Sequence, residues 1–111
     1  MKQIGSWLKT DTAFFRFIGD PAAMIKKVGL CTGAGAEFIK EAKDADCDLF
    51  VTGDVKYHDA RLAQDLNINV LDLGHYGSEK IFAANMAEYL RKNTGIEILE
   101  TQAELNPFMI L

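Results

Sequence analysis

Short apolar runs alternate with segments of helical period along most of this chain, and that rhythm sets the expected fold. Phe14-Phe15-Arg16-Phe17-Ile18 is short, aromatic and partly alternating, as in a strand, and Gly19-Asp20-Pro21 marks a turn after it. Lys27-Val28-Gly29-Leu30-Cys31-Thr32 reads as a second strand that ends in the tight turn Gly33-Ala34-Gly35. Residues 36–45 follow as a helix, with Phe38, Ile39 and Ala42 spaced along one face. Asp48-Leu49-Phe50-Val51-Thr52 is a third strand, stopping at Gly53-Asp54. Residues 57–66 suit a helix with Ala60, Leu62, Ala63 and Leu66 inward, and Asn69-Val70-Leu71-Asp72-Leu73 is a fourth strand ending at Gly74. A long helix is expected over 76–92, with Ile81, Phe82, Ala84, Met86, Ala87, Tyr89 and Leu90 forming a stripe broad enough to face a sheet. Residues 96–99 read as a fifth strand, residues 3–9 as the end of a helix, and 101–111 carry few signals beyond Asn106-Pro107.

Strands alternating with helices predict an α/β fold. Its sheet is mainly parallel, of about five strands with flanking helices and right-handed crossovers. A length of 111 residues suits one compact domain, 1–111. Sheets of this kind bind ligands at the C-terminal ends of their strands. Three loops fall at such ends: Thr32-Gly33-Ala34-Gly35, Thr52-Gly53-Asp54 and Leu73-Gly74-His75. They hold nearly all of the candidate chemistry.

Composition narrows the partners more than the fold. The net charge of −4, with no basic run, removes any broad attraction to phosphates, so no nucleic acid partner is expected. No apolar stretch approaches the roughly 20 residues that span a bilayer, and no signal-peptide core follows Met1-Lys2-Gln3-Ile4-Gly5. The expectation is therefore no membrane and a cytoplasmic location. Cys31 and Cys47 match neither a redox pair nor a zinc knuckle and are expected to be buried, reduced thiols. Trp7, Phe14, Phe15 and Phe17 suggest core or interface packing rather than a base-stacking surface, given the acidic charge around them.

The first candidate site is Gly74-His75-Tyr76-Gly77-Ser78-Glu79, where the fourth strand becomes the long helix. His75 and Glu79 are four residues apart, so near a helix start they share one face. An imidazole nitrogen with a carboxylate oxygen suits zinc, manganese or iron, although a catalytic ion takes three or more protein ligands. The alternative is structural: Ser78 and Glu79 would stabilise the first helical turn. The second candidate is Thr52-Gly53-Asp54-Val55-Lys56-Tyr57-His58-Asp59, which crowds carboxylates, a lysine, a phenol and an imidazole into one loop. Asp54 and His58 can act there as a general acid/base pair, or simply cap and solvate the next helix. The third, Gly33-Ala34-Gly35, can cradle a phosphate at a helix start. It lacks the third glycine of a dinucleotide fingerprint, since that position is Phe38, and it has no P-loop ending. A tight backbone turn bordering a metal pocket is the competing assignment. Nothing supports a Ser or Cys nucleophile.

Taken together, Val28-Gly29-Leu30-Cys31-Thr32-Gly33-Ala34-Gly35, Thr52-Gly53-Asp54-Val55-Lys56-Tyr57-His58-Asp59-Ala60, Gly74-His75-Tyr76-Gly77-Ser78-Glu79 and the closing Asn106-Pro107-Phe108 resemble one family. It is the NGG-interacting-factor-like family of dinuclear-metal-centre proteins, homologues of GTP cyclohydrolase I type two. The resemblance covers nearly the whole chain and implies a fold of two similar halves, of which this is the C-terminal one and the N-terminal half is absent. It implies two divalent metal ions (zinc, manganese or iron) in the cleft of the complete protein, with His75 and Glu79 as metal ligands and Asp54 and His58 nearby as catalytic residues. This chain lacks the family's paired histidines, so it is expected not to hold two metals stably alone. The resemblance also implies a ring-like homo-oligomer, often a hexamer, and a metal-dependent hydrolase of unassigned substrate, a nucleotide-like one among the options; the uncovered cleft face of a half-molecule predicts self-association, such as a dimer. Two alternatives remain: a non-catalytic scaffold with structural metals, and a nucleotide sensor built on the Gly33-Ala34-Gly35 turn.

Overall fold

A computed structural model describes residues 12–103 and 106–111. The expected helix end at residues 3–9, and Trp7 with it, lies outside the described residues. Strands β1 (Arg16–Ile18), β2 (Val28–Leu30), β3 (Leu49–Thr52) and β4 (Asn69–Asp72) form one sheet in the order β1-β4-β3-β2. The β2–β3 and β3–β4 pairs are parallel, and β1 runs antiparallel to β4. The helices are α1 (Ile39–Asp44), α2 (Tyr57–Asp65), α3 (His75–Glu79) and α4 (Phe82–Asn93), with short 3-10 turns at Thr12–Phe14 and Ala36–Phe38.

The expectation of about five strands with a fifth at 96–99 is corrected to a four-stranded mixed sheet among the described residues. Residues 94–100 are irregular, and their last part is held against α4 by Arg91. Arg91 donates to the Ile98 carbonyl at 3.3 Å and pairs with Glu100 at 3.3 Å. The antiparallel β1 follows from its connection. Residues 19–27 contain no helix to carry a right-handed crossover, so β1 joins the sheet beside β4 without one.

The long helix expected over 76–92 is two helices, α3 and α4, broken at Lys80–Ile81. No glycine or proline marks the junction, so the sequence carries no punctuation there. Its apolar stripe is mostly uncovered: Ala87 is buried, whereas Phe82, Met86 and Tyr89 are exposed. Likewise Phe38 and Leu62, expected inward, face solvent.

One sheet face carries Phe50 and Val70. Ile39, Ala42, Val55, Ala63 and Ile68 complete this main core, with Ala60 and Leu66 packed on it. Cys31 and Cys47 are free, partly buried thiols at its margin. The other face carries Leu49, Val51, Leu71 and Leu73, with Phe15 against them. Alternation along β3 and β4 splits their side chains between the two faces, and both strands are buried because both faces are covered.

The feature that positions the site is Asp72, at the last residue of β4 and only 1% exposed. One carboxylate oxygen, Oδ2, accepts the Val55 N–H at 3.1 Å and pairs with the Arg16 guanidinium; the other, Oδ1, accepts the Gly74 N–H at 2.8 Å. Arg16, opposite Asp72 in the β1–β4 register, also donates to the Val55 carbonyl at 2.8 Å. Both main-chain polar groups of Val55 are thus held by one ion pair, and the loops after β3 and β4 are tied together. Asp72→Ala would orphan two N–H groups at a cost of about 1–3 kcal/mol each, so unfolding free energy should fall by about 3 kcal/mol, read from the urea midpoint. Arg16→Ala should also lower the urea midpoint, because it leaves the Asp72 carboxylate, 1% exposed, without its counter-charge and the Val55 carbonyl without its donor.

Candidate functional site

Parallel pairing brings the ends of β2, β3 and β4 to one edge of the sheet, where the three expected loops meet. The Leu73 N–H donates to the Thr52 carbonyl at 2.8 Å and the Cys31 N–H to the Val51 carbonyl at 3.0 Å, so the ladder continues into the loops. Gly53 sits where these backbones converge. A Cβ there would lie 2.7 Å from the Gly74 carbonyl and 2.8 Å from the Gly33 carbonyl oxygen. Only glycine lets the loops approach this closely.

His75 and Glu79 are the first and last residues of α3, and one helical turn puts them side by side. His75 Nε2 lies 3.2 Å from Glu79 Oε2, and His75 Nδ1 lies 2.8 Å from Asp54 Oδ2. The imidazole is therefore held between two carboxylates, one at each nitrogen. All three side chains are about half exposed, at 50%, 51% and 49% for His75, Asp54 and Glu79. The Asp54 hydrogen bond, followed by the charge of Glu79, raises the His75 pKa above its usual 6.5.

Gly33 closes the floor. Its φ of +69° lies in the left-handed region, and a Cβ would stand 2.5 Å from Glu79 Oε1 and 3.4 Å from His75 Nε2. Its N–H donates to Ser78 Oγ at 2.8 Å, and that hydroxyl donates to the His75 carbonyl at 2.9 Å. Ser78 is buried and links the β2 loop to the first turn of α3. It does this through a carbonyl rather than by capping a helix N–H.

Of the four residues singled out from the sequence, the structure brings Asp54, His75 and Glu79 together. His58 stands apart: it is exposed on the first turn of α2, and its ring meets Tyr57 edge-on at 5.4 Å. The Gly33-Ala34-Gly35 turn borders the His75–Glu79 pair. Asp72 and Arg16 were not among the expected site residues, because their partnership spans 56 positions. The signal available was a charged Asp72 directly after the apolar pair Val70-Leu71 and before Leu73.

A cavity of about 920 Å³ opens beside the pair, walled by Thr32, Ser78, Ile81, Phe82, Pro107 and Phe108. A smaller one of about 240 Å³ lies on the Asp54 side of the ring, with Phe14 and Asn106 in its wall. His75 borders both. Among the described residues no helix is long and apolar enough to cross a membrane.

The fold and the site together define an α/β protein with an imidazole–carboxylate centre at the strand ends. Residues 1–107 match the Duf34/NIF3 (NGG1p interacting factor 3) family, and the chain belongs to it. It is 37% identical over 108 residues to the GTP cyclohydrolase 1 type 2 homolog of Bacillus subtilis, covering 93% of this chain and 29% of that protein. It is 40% identical over 88 residues to GTP cyclohydrolase 1 type 2 of Helicobacter pylori, covering 79% of this chain and 35% of that one. Staphylococcus aureus protein SA1388 superimposes with a TM-score of 0.79 at 25% identity, over 99% of this chain and 36% of that structure. The chain thus spans roughly a third of the length of the curated relatives it matches, at 29% and 35%.

Two outcomes follow from this geometry. In an NMR pH titration, His75 should titrate above 6.5, and Asp54→Asn should bring it down. Because the folded-state value is raised, the stabilising contribution is fully present below the unfolded value of 6.5 and is lost as pH rises through the folded one. Gly33→Ala should cost about 1–2 kcal/mol from the left-handed backbone alone. It should also displace the Glu79 carboxylate, visible as a shift of the His75 imidazole signals.

Proposed function

We propose that this chain supplies His75 and Glu79 as ligands to a divalent-metal centre in a metal-dependent hydrolase. One observation carries this: His75 Nε2 and Glu79 Oε2 converge to 3.2 Å. Two atoms that each bond one zinc ion at about 2.0–2.2 Å sit at about that separation in a tetrahedral shell. With Nδ1 engaged by Asp54, Nε2 is the nitrogen left to a cation, and Gly33 leaves room for it. The donor set fits zinc, manganese or iron. It fits as part of a shell, since the described residues hold no group of three or more His, Cys, Asp or Glu side chains suited to a metal ion. The family resemblance supports two ions, with the remaining ligands coming from beyond this set.

Bound divalent ions would supply Lewis acidity toward a carbonyl, phosphoryl or ring carbon. The chain's own residues hold the ligand pair in register, and the partly apolar cavity beside it can accommodate a small substrate. The names of the relatives support a nucleotide-like substrate. His58 lies beside Tyr57 on α2 rather than against this pair, so the ligand assignment does not draw on it. A second role, an oligomer whose metals are structural, draws on the exposed Phe82, Met86 and Tyr89 of α4.

Calorimetric titration with Zn²⁺ should give weak binding to the 111-residue chain, and His75→Ala with Glu79→Ala should abolish it. Undiminished uptake by the double variant would overturn the ligand assignment. If chelation dissociates an assembly that shows no turnover with Zn²⁺ or Mn²⁺, the structural role replaces the catalytic one.

A further inference from the structure

We propose that Asp54 is a positioning residue that holds the neutral His75 ring as its Nδ1–H tautomer, so that the Nε2 lone pair faces Glu79 and a cation. Its purpose rests on the metal-ligand function proposed above; its geometry does not.

The first observation is the asymmetry of the two contacts. Both contacts are within hydrogen-bonding range, but Asp54 Oδ2 is the nearer, 2.8 Å from Nδ1 against 3.2 Å from Glu79 Oε2 to Nε2. A neutral ring has one proton to donate, and the shorter contact claims it. Histidines that bind a metal through one nitrogen commonly donate the other N–H to a carboxylate, which fixes the ring and makes the ligating nitrogen more basic.

The second observation is independent of the first. Three non-glycine residues among those described have positive φ: Asp46, Asp54 and Asn67. Asp46 and Asn67 each lie just past a helix, after α1 and α2, where a left-handed residue commonly ends the helix. Asp54, at φ +54°, follows strand β3, so helix termination does not account for it. Its conformation is imposed from both sides. Gly53 is wedged against Gly74 and the Gly33 carbonyl, and Val55 is clamped through its N–H and C=O by Asp72 and Arg16. The backbone bears a strained conformation at this one loop position, and the side chain so placed ends on His75 Nδ1.

The test is nitrogen-15 NMR of the imidazole nitrogens in the metal-free 111-residue chain, at a pH where the ring is neutral. The parent should show mostly the Nδ1–H form. Asp54→Gly suits the left-handed backbone, so the fold and its Tm should be retained, while Glu79 becomes the carboxylate partner that remains. The majority should then move to the Nε2–H form. Zn²⁺ affinity, measured by calorimetry, should fall by about 10–100-fold in the same variant. A parent ring that is mostly Nε2–H, or a tautomer ratio identical in parent and variant, would overturn the proposal. The parent ratio decides the matter even if the variant fails to fold. Zn²⁺ uptake indifferent to loss of His75 and Glu79 would instead sink the metal function alone, because the tautomer is read without metal.

Discussion

The buried carboxylate of Asp72 is the constraint from which the rest of this edge of the molecule follows. A charge that is 1% exposed is tolerated only if its oxygens are fully engaged, and here they meet a guanidinium and two main-chain N–H groups. Those partners belong to three segments: β1 through Arg16, the loop after β3 through Val55, and the loop after β4 through Gly74. One side chain therefore fixes three backbones relative to one another. This also gives the antiparallel β1 a role. It delivers Arg16 to a position facing Asp72, and so completes the pair that holds Val55 at both ends.

The site inherits its precision from that clamp rather than from burial of its own residues. His75, Asp54 and Glu79 are half exposed, and surface pairs of this kind contribute little to stability. What keeps them together is the backbone below: Gly53 where three loops converge, Gly33 beneath Glu79, and the Ser78 hydroxyl bridging Gly33 to His75. Small residues at these points matter because any side chain there would occupy the space into which the functional groups are folded. The result is three half-exposed side chains standing on a closely packed backbone.

Local signals were legible in the sequence wherever the physics was local. The four strands were visible from short apolar runs ending in glycine, and the pairing of His75 with Glu79 followed from helical spacing alone. The parallel strand ends correctly gathered the three glycine-containing loops. What escaped was set by distant partners. Residues 96–99 have the apolar pattern of a strand, but they join no sheet among the described residues, and Arg91 takes the Ile98 carbonyl. The break at Lys80–Ile81 carries no glycine or proline, and the burial expected of Phe82 and Tyr89 assumed that whatever lies opposite their helix covers it. Asp54 has two histidines as candidate partners in the sequence, and the one it meets is His75, 21 positions away, not His58 four positions away; spacing does not choose between them.

The exposed apolar groups fall in two places with different consequences. On β2, an edge strand among the described residues, Val28 and Leu30 are exposed. That edge is only three residues long, and short edge strands are poor templates for further pairing. On α4, Phe82, Met86 and Tyr89 recur at intervals of four and three, which places them on one helical face, where the main-chain groups of the helix interior pair within the helix. Covering such a face gains apolar burial without any loss of hydrogen bonding, whereas covering β2 requires a partner strand in register. Association through α4 is therefore the less demanding of the two. Phe82 also walls the larger cavity next to Glu79, so a partner packed on this helix would reach the margin of the site itself.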